Sequence, residues 1–421
     1  MNVINGVSGA THPNTRRRVS PDPHPGPANN GRARGRLEAV IAAAVCIQAG
    51  QGIFEICLPL RAERAGLSAT MFGWTGAAHS FGFLIGAFLA PLALRKIGGF
   101  GVLVAACLLG SPLAALGWIS SEQAWIVTRI AAGFAFAILF AALDTAVIDT
   151  ASIAHRSRAI GIYVMFERLA MMLMPFAFAA TLSSAGTLTY GVGCLWLALI
   201  PGLVLRRTHP PVERGLGVTP LSTIRAAWKL APITLLCAFA SGSLNTSVII
   251  LLPRWVHGQL GEAAVPVVQA ATWGGALTIQ LAAGFLARPR LRMAVGRWLS
   301  PVAAVVLVSM PLATKGGIWA TTSAALLLGI TAFSQYGLAL IALGDIAAHR
   351  QQPSPTAALV FAWGTGAVLG PMLCSAAGLY AQPSHLFVAI GLCWLAIPGA
   401  NALASALGTA DLGPPSLASD G

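Results

Sequence analysis

Apolar residues fall in twelve long runs, at about 37–60, 71–93, 100–119, 123–148, 159–182, 187–205, 231–252, 264–287, 298–313, 317–344, 356–380 and 385–406. A helix needs roughly 20 mostly apolar residues to cross the hydrocarbon core of a bilayer, and the runs are of that order. Each is read as a helix, because irregular backbone in lipid leaves amide groups without partners. Gly and Pro inside the runs do not weaken this, since membrane helices carry both more often than soluble ones. The longest connection, about 206–230, splits the runs into two sets of six. The pattern therefore predicts an all-α membrane protein of twelve transmembrane helices in two six-helix pseudo-repeats. A basic disordered tail (1–35) precedes a first bundle (36–205), a cytoplasmic linker (206–230), a second bundle (231–406) and a C-terminal tail (407–421).

Composition supports a lipid-facing surface. The 421 residues are 56% hydrophobic and only 9% charged, against about 25% charged in a soluble globular chain. The net charge of +13 raises nucleic acid as a partner, but the charges sit in short clusters between the apolar runs. Arg95 and Lys96, Arg156 and Arg158, Arg206 to Lys229, Arg288 to Arg297, and Arg350 fall in alternate loops, on the side of the tail arginines Arg16, Arg17 and Arg18. The opposite loops hold only Arg61, Arg64, Arg254 and Lys315. The positive-inside rule then predicts both termini in the cytoplasm; a bacterial inner membrane is the expected location, and nucleic acid is not an expected partner. The seven cysteines are scattered, with no Cys-x-x-Cys pair, and read as small apolar fillers. Residues 1–35 contain no secretory apolar segment.

The two sets also look like repeats. Asp149 precedes Pro175 by 26 positions and Asp345 precedes Pro371 by the same 26. Arg95 and Arg288 are 193 apart, and His155 and His349 are 194 apart.

Local motifs point the same way. The first run ends Leu58-Pro59-Leu60-Arg61. The second reads Ser80-Phe81-Gly82-Phe83-Leu84-Ile85-Gly86, then Pro91 and Arg95-Lys96-Ile97-Gly98. Arg129-x-x-x-Gly133 opens the fourth, and Arg156-Ser157-Arg158-Ala159-Ile160-Gly161-Ile162-Tyr163 opens the fifth. The tenth and eleventh carry Tyr336-Gly337, Asp345 and Gly366-x-x-x-Gly370-Pro371. In this order the chain after its tail resembles the major facilitator superfamily. The resemblance implies the family's fold, with helices one, four, seven and ten lining a central cavity, and gating loops at Arg95, Lys96 and Arg288. It departs from the family where Arg95 and Arg288 stand at the place usually held by Asp. The Gly-Pro pair typical of drug–proton antiporters is absent from the fifth helix, which has Met174-Pro175, and lies in the eleventh.

An ionisable side chain inside a span is costly and so marks a candidate site. The candidates are Glu55, His79, Arg129, Asp144, Asp149, Glu167, Arg168 and Asp345. At about 1.5 Å of rise per residue, Glu55 and Arg129 lie at similar depth and are expected to face each other across the outer half of the cavity. A carboxylate moving between a paired and a buried setting changes its hold on a proton, which makes the pair a coupling or substrate site; the alternative is a fixed structural ion pair. Asp144 and Arg168 also match in depth, with Glu167 beside them, and read either as a functional pair or as a clamp. Asp149 and Asp345 are expected to cap helices or pair with Arg158 and Arg350. His79 reads as packing or as a proton relay. Among Gln48, Gln51, Asn245, Gln280, Gln335 and Tyr336, the best cavity-lining candidates are Asn245 and Tyr336. Trp118, Trp125, Trp255 and Trp319 near span ends read as interface anchors.

No phosphate-binding loop or His-Glu-x-x-His helix occurs, and no nucleophile–base set stands at helical spacing. No enzyme, cofactor or metal site is expected. The expectation is a monomeric secondary transporter of a small polar organic solute, a metabolite or metal chelator. It is expected to be driven by protons, to work by alternating access and to favour export. Uptake of an organic nutrient or siderophore, or a non-transporting receptor or scaffold, are the alternatives.

Overall fold

The computed structural model describes residues 27–150, 156–182, 184–207, 225, 228–229, 232–285, 289–339 and 356–406. His155, Arg288, Asp345, His349 and Arg350 lie outside them, as do the side chains of Arg156, Arg158 and Gln280. Among the described residues there is no strand.

The first group of helices comprises α1 (Pro27–Arg64), α2 (Ala69–Gly110), α3 (Glu122–Thr150), α4 (Arg156–Ala177) and α5 (Thr187–Leu197). The second comprises α6 (Pro232–Leu260), α7 (Ala264–Phe285), α8 (Pro289–Ala313), α9 (Gly317–Leu328), α10 (Thr356–Ala376) and α11 (Pro383–Ala406). Eight described stretches are long and apolar enough to cross a membrane. Two exceed a single crossing: Ala69–Gly117 spans 49 residues and Leu299–Ala339 spans 41. Each is broken where the sequence predicts two runs to meet. In α2, Gly98 has φ 68° and ψ 172°, a left-handed conformation open to glycine at little cost. Gly317, at φ 81°, plays this part before α9.

The outer surface is apolar. Val127, Ile200, Val305, Leu312 and Leu373 are each about two-thirds exposed, a pattern that water disfavours and lipid accepts. Trp118 and Trp319 are exposed, as expected of anchors, whereas Trp125 and Trp255 are buried. Trp125 donates its ring N–H to the Ile119 carbonyl (2.9 Å).

Glycine brings the helices together. A Cβ on Gly133 of α3 would collide with the His79 carbonyl of α2, and one on Gly82 with the Ile130 carbonyl. The seam between α6 and α10 is built alike, around Gly242, Gly366 and Gly370. Without a hydrophobic force between helices in lipid, such backbone approach is what packing can exploit. The two groups meet chiefly where α2 packs on α10 and α4 on α7.

Candidate functional site

Two ends of the bundle differ. At the end where α1 stops, ion pairs cross between the groups. Glu63 meets Arg254 of α6 at 3.1 Å and His257 at 3.8 Å, and Arg64 meets Glu262 at 3.5 Å. Arg254 also stacks on the Phe72 ring of α2, 4.5 Å from its centroid. Ser375 of α10 donates to the Thr70 carbonyl (2.8 Å). Asp144 lies fifteen residues along α3 from Arg129, about 22 Å at the helical rise, and its side chain is exposed.

Below the closed end lies a cavity of about 110 Å³, lined by residues that include Gln51, Glu55, His79, Arg129 and Thr246. That is room for a few waters or one small polar group. Its walls come from α1, α2, α3 and α6. Three of the four helices implied by the family resemblance are thus present, with α2 in place of the tenth span.

Glu55 and Arg129 share this cavity, but no ion pair joins them among the described residues; Arg129 donates from Nε to the Thr75 carbonyl (3.4 Å). Glu55 instead reaches the second group. Its Oε2 accepts from the Trp273 ring N–H at 3.1 Å and from the Gln269 amide at 3.5 Å, both on α7. Gln51, one turn back on α1, stands beside it. Arg168 lies on the Trp273 face, 5.1 Å from the ring centroid. Gln269 and Trp273 were not singled out in the sequence. Their spacing of four residues puts them on one helix face, and Trp273 is a tryptophan far from any span end. Those are the signals that mark them.

Two acceptors that line the cavity have no partner: Gln51 Oε1 and His79 Nδ1. The His79 ring packs edge-on against Phe136 (6.2 Å). Buried polar atoms normally find a partner, so this cavity is equipped to accept hydrogen bonds, with Arg129 as its cation.

The other candidates separate. Asp144 does not pair with Arg168; it accepts from the Tyr163 hydroxyl at 3.0 Å. Arg168 is one residue past Glu167, which turns it about 100° around α4, toward Trp273. Glu167 is buried and interacts with Tyr163 and with Gln48 of α1. Asn245 does not line the cavity; its amide braces α6, donating to Ser241 Oγ (3.0 Å) and to the Ala332 carbonyl (2.9 Å). Tyr336 packs on Trp363 of α10 with ring centroids 5.8 Å apart. Gln335 donates to the Thr331 carbonyl (3.1 Å). Arg95, Lys96 and Asp149 are exposed.

The sequence model of the Major Facilitator Superfamily matches residues 40–371. An uncharacterised MFS-type transporter of Yersinia pseudotuberculosis serotype O:3 is 22% identical over 336 residues, covering 77% of this chain and 84% of that one. An uncharacterised MFS-type transporter, YcaD, of Escherichia coli O6:K15:H31 is 21% identical over 322 residues, covering 76% and 82%. Among solved structures, the nucleoside transporter NupG superposes with a TM-score of 0.72 at 12% identity, covering 87% of this chain and 98% of its own. A mutant of the peptide transporter POT, in complex with sulfate, gives 0.67 at 11%, covering 88% and 94%.

Proposed function

The chain belongs to the major facilitator superfamily, and from that premise we propose that it couples proton movement to the passage of a small polar organic solute. The observation that carries this reading is Glu55, a carboxylate within α1 held by two N–H donors of α7. Hydrogen bonds to a charged group contribute about 1.5–3 kcal/mol, against about 1 kcal/mol for neutral pairs. Protonating Glu55 therefore loosens the tie between the two groups by about 1–4 kcal/mol. That is enough to move a two-state equilibrium about fivefold or more.

In this reading the twelve spans form two six-helix bundles that rock about the cavity. The Glu63 end, facing out, is latched, and the Asp144 end faces the cytoplasm, where both termini lie in a bacterial inner membrane. The chain acts as a monomer, with export as the working direction. Arg129 receives an anionic or carbonyl group of the solute. Gln51 Oε1 and His79 Nδ1 accept from its N–H or O–H groups. A solute with both is a polar metabolite; the nucleoside and peptide of the two structural neighbours are of that chemistry.

The test uses vesicles of both orientations, a panel of nucleosides, dipeptides and polar acids, and an imposed pH gradient. A member of the panel is expected to accumulate with the wild-type protein, and Glu55→Gln to lose accumulation while keeping solute exchange. Undiminished accumulation in Glu55→Gln removes this residue from coupling.

A further inference from the structure

Beneath the cavity, on the side toward Asp144, lies a second group of polar residues that the solute site does not use. We propose that Glu167, Tyr163 and Asp144 form a proton site, in which Glu167 holds the proton and Tyr163 exchanges it with solvent through Asp144. This deepens the proton-coupled reading and rests on it for its purpose, but not for its geometry.

The argument turns on a single hydrogen. Tyr163 is 4% exposed, and its hydroxyl contacts Asp144 Oδ1 at 3.0 Å. The same hydroxyl faces Glu167, one turn along α4. A phenol has one O–H to donate. Donated to Asp144, it leaves a lone pair toward Glu167, which an ionised carboxylate repels and a protonated one satisfies. Burial separates the two acids. Asp144 is the more exposed of the two and lies nearer the end of its helix. Glu167 is 8% exposed, and its Oε1 has no partner in the protein. A buried charged oxygen left unpaired is among the costliest arrangements in a folded chain.

The charges around the site agree. Electrostatic contacts run from Glu167 of α4 to Asp144 of α3 and to Arg168 of α4, from Arg168 to Glu55 of α1, and from Glu55 to Arg129 of α3. Gln48 of α1, Trp273 of α7 and Tyr336 are the uncharged neighbours. Three carboxylates against two guanidiniums leave one negative charge, which one proton neutralises. Among the described residues no ion pair joins either arginine to these acids, so neither is committed to cancelling Glu167.

Loading conserves every atom. Asp144 takes a proton from solvent and passes it to the Tyr163 oxygen as the Tyr163 proton moves to Glu167. Asp144 returns to its anion, Tyr163 is unchanged, and Glu167 is neutral. On α1, Gln48 beside Glu167 and Gln51 beside Glu55 are three residues apart, and line the step from this site to the cavity.

Infrared difference spectroscopy of the full-length protein in nanodiscs, exchanged between H₂O and D₂O at neutral pH, reads the proton without a solute. A protonated carboxyl has a C=O stretch that carboxylates lack and that shifts on deuteration. The wild type is expected to show it, Glu167→Gln to lose it, and Asp144→Asn and Glu55→Gln to keep it. Tyr163→Phe, with its hydrogen bond gone, is expected to shift the band. Absence of the band in the wild type, its survival in Glu167→Gln, or an unmoved band in Tyr163→Phe overturns the proposal. Should the wild type show the band but no gradient-driven transport, the coupling reading fails and this site stands. Normal coupling without the band reverses that outcome.

Discussion

Arg254→Ala probes how firmly the Glu63 end is held. The arginine makes two contacts with the first helix group: an ion pair to Glu63 at 3.1 Å and a cation–π contact on Phe72 at 4.5 Å. Both ion-pair partners are a quarter or more exposed, which limits the pair to about 0.2–1 kcal/mol. The stacked guanidinium adds about 0.5–1 kcal/mol. Against this, Arg254 Nη1 is buried without a partner, a cost that the substitution relieves. The net loss is then about 1 kcal/mol, which shifts the latched-to-open ratio about fivefold. His257 remains near Glu63, and Arg64 near Glu262, so the end opens more often without staying open. Ile250 lines the cavity and its side chain fills the notch at Gly76, making Ile250→Cys a reporter in a background lacking the seven native cysteines. A membrane-impermeant maleimide applied from the Glu63 side is expected to label it about five times faster when Arg254→Ala is added. Arg254→Lys, which keeps the charge but not the planar stack, is expected to fall between. An unchanged labelling rate in folded Arg254→Ala protein refutes the latch.

Other variants test other parts of the structure. Arg129→Ala is expected to abolish solute flux while leaving membrane insertion intact, and undiminished flux removes Arg129 from the site. Gly133→Ala drives a methyl group into the His79 carbonyl and is expected to cost about 1–3 kcal/mol. Thermal unfolding reads this against Gly161→Ala, whose new methyl meets nothing; equal midpoints contradict the seam. Exchanging charges by Asp144→Arg with Arg168→Asp is expected to leave transport as impaired as in the worse single variant, since Tyr163, not Arg168, holds Asp144. Recovery in the double variant restores the ion-pair reading.

Much of the architecture was legible because lipid imposes a simple rule on composition. The runs at 71–93 and 100–119 were separable because charge and glycine interrupt them, and the chain breaks helix at Gly98 between them. The site was legible in part. Counting residues along a helix yields depth, and depth put Glu55 level with Arg129 in one cavity. It yields no azimuth relative to a neighbour, and so it paired Asp144 with Arg168 although adjacent residues on α4 face different helices. Asn245 has the composition of a cavity residue, yet its amide is spent on Ser241 and the Ala332 carbonyl. Trp125 and Trp255 sit near span ends like anchors, but are buried. In each case the missing information is rotation about the helix axis, which only packing supplies.

The glycine seam between α2 and α3 has a mechanical consequence. The His79 carbonyl sits in the notch left by Gly133, and that of Ile130 in the notch left by Gly82. Interlocked at both points, the two helices resist sliding and travel as one slab. Arg129 and Thr75, on opposite members of that slab, keep their spacing during travel. In the proposed transport cycle, prising α2 away from α10 carries the guanidinium off with it, so that admitting solvent and withdrawing the cation from a bound solute become a single displacement.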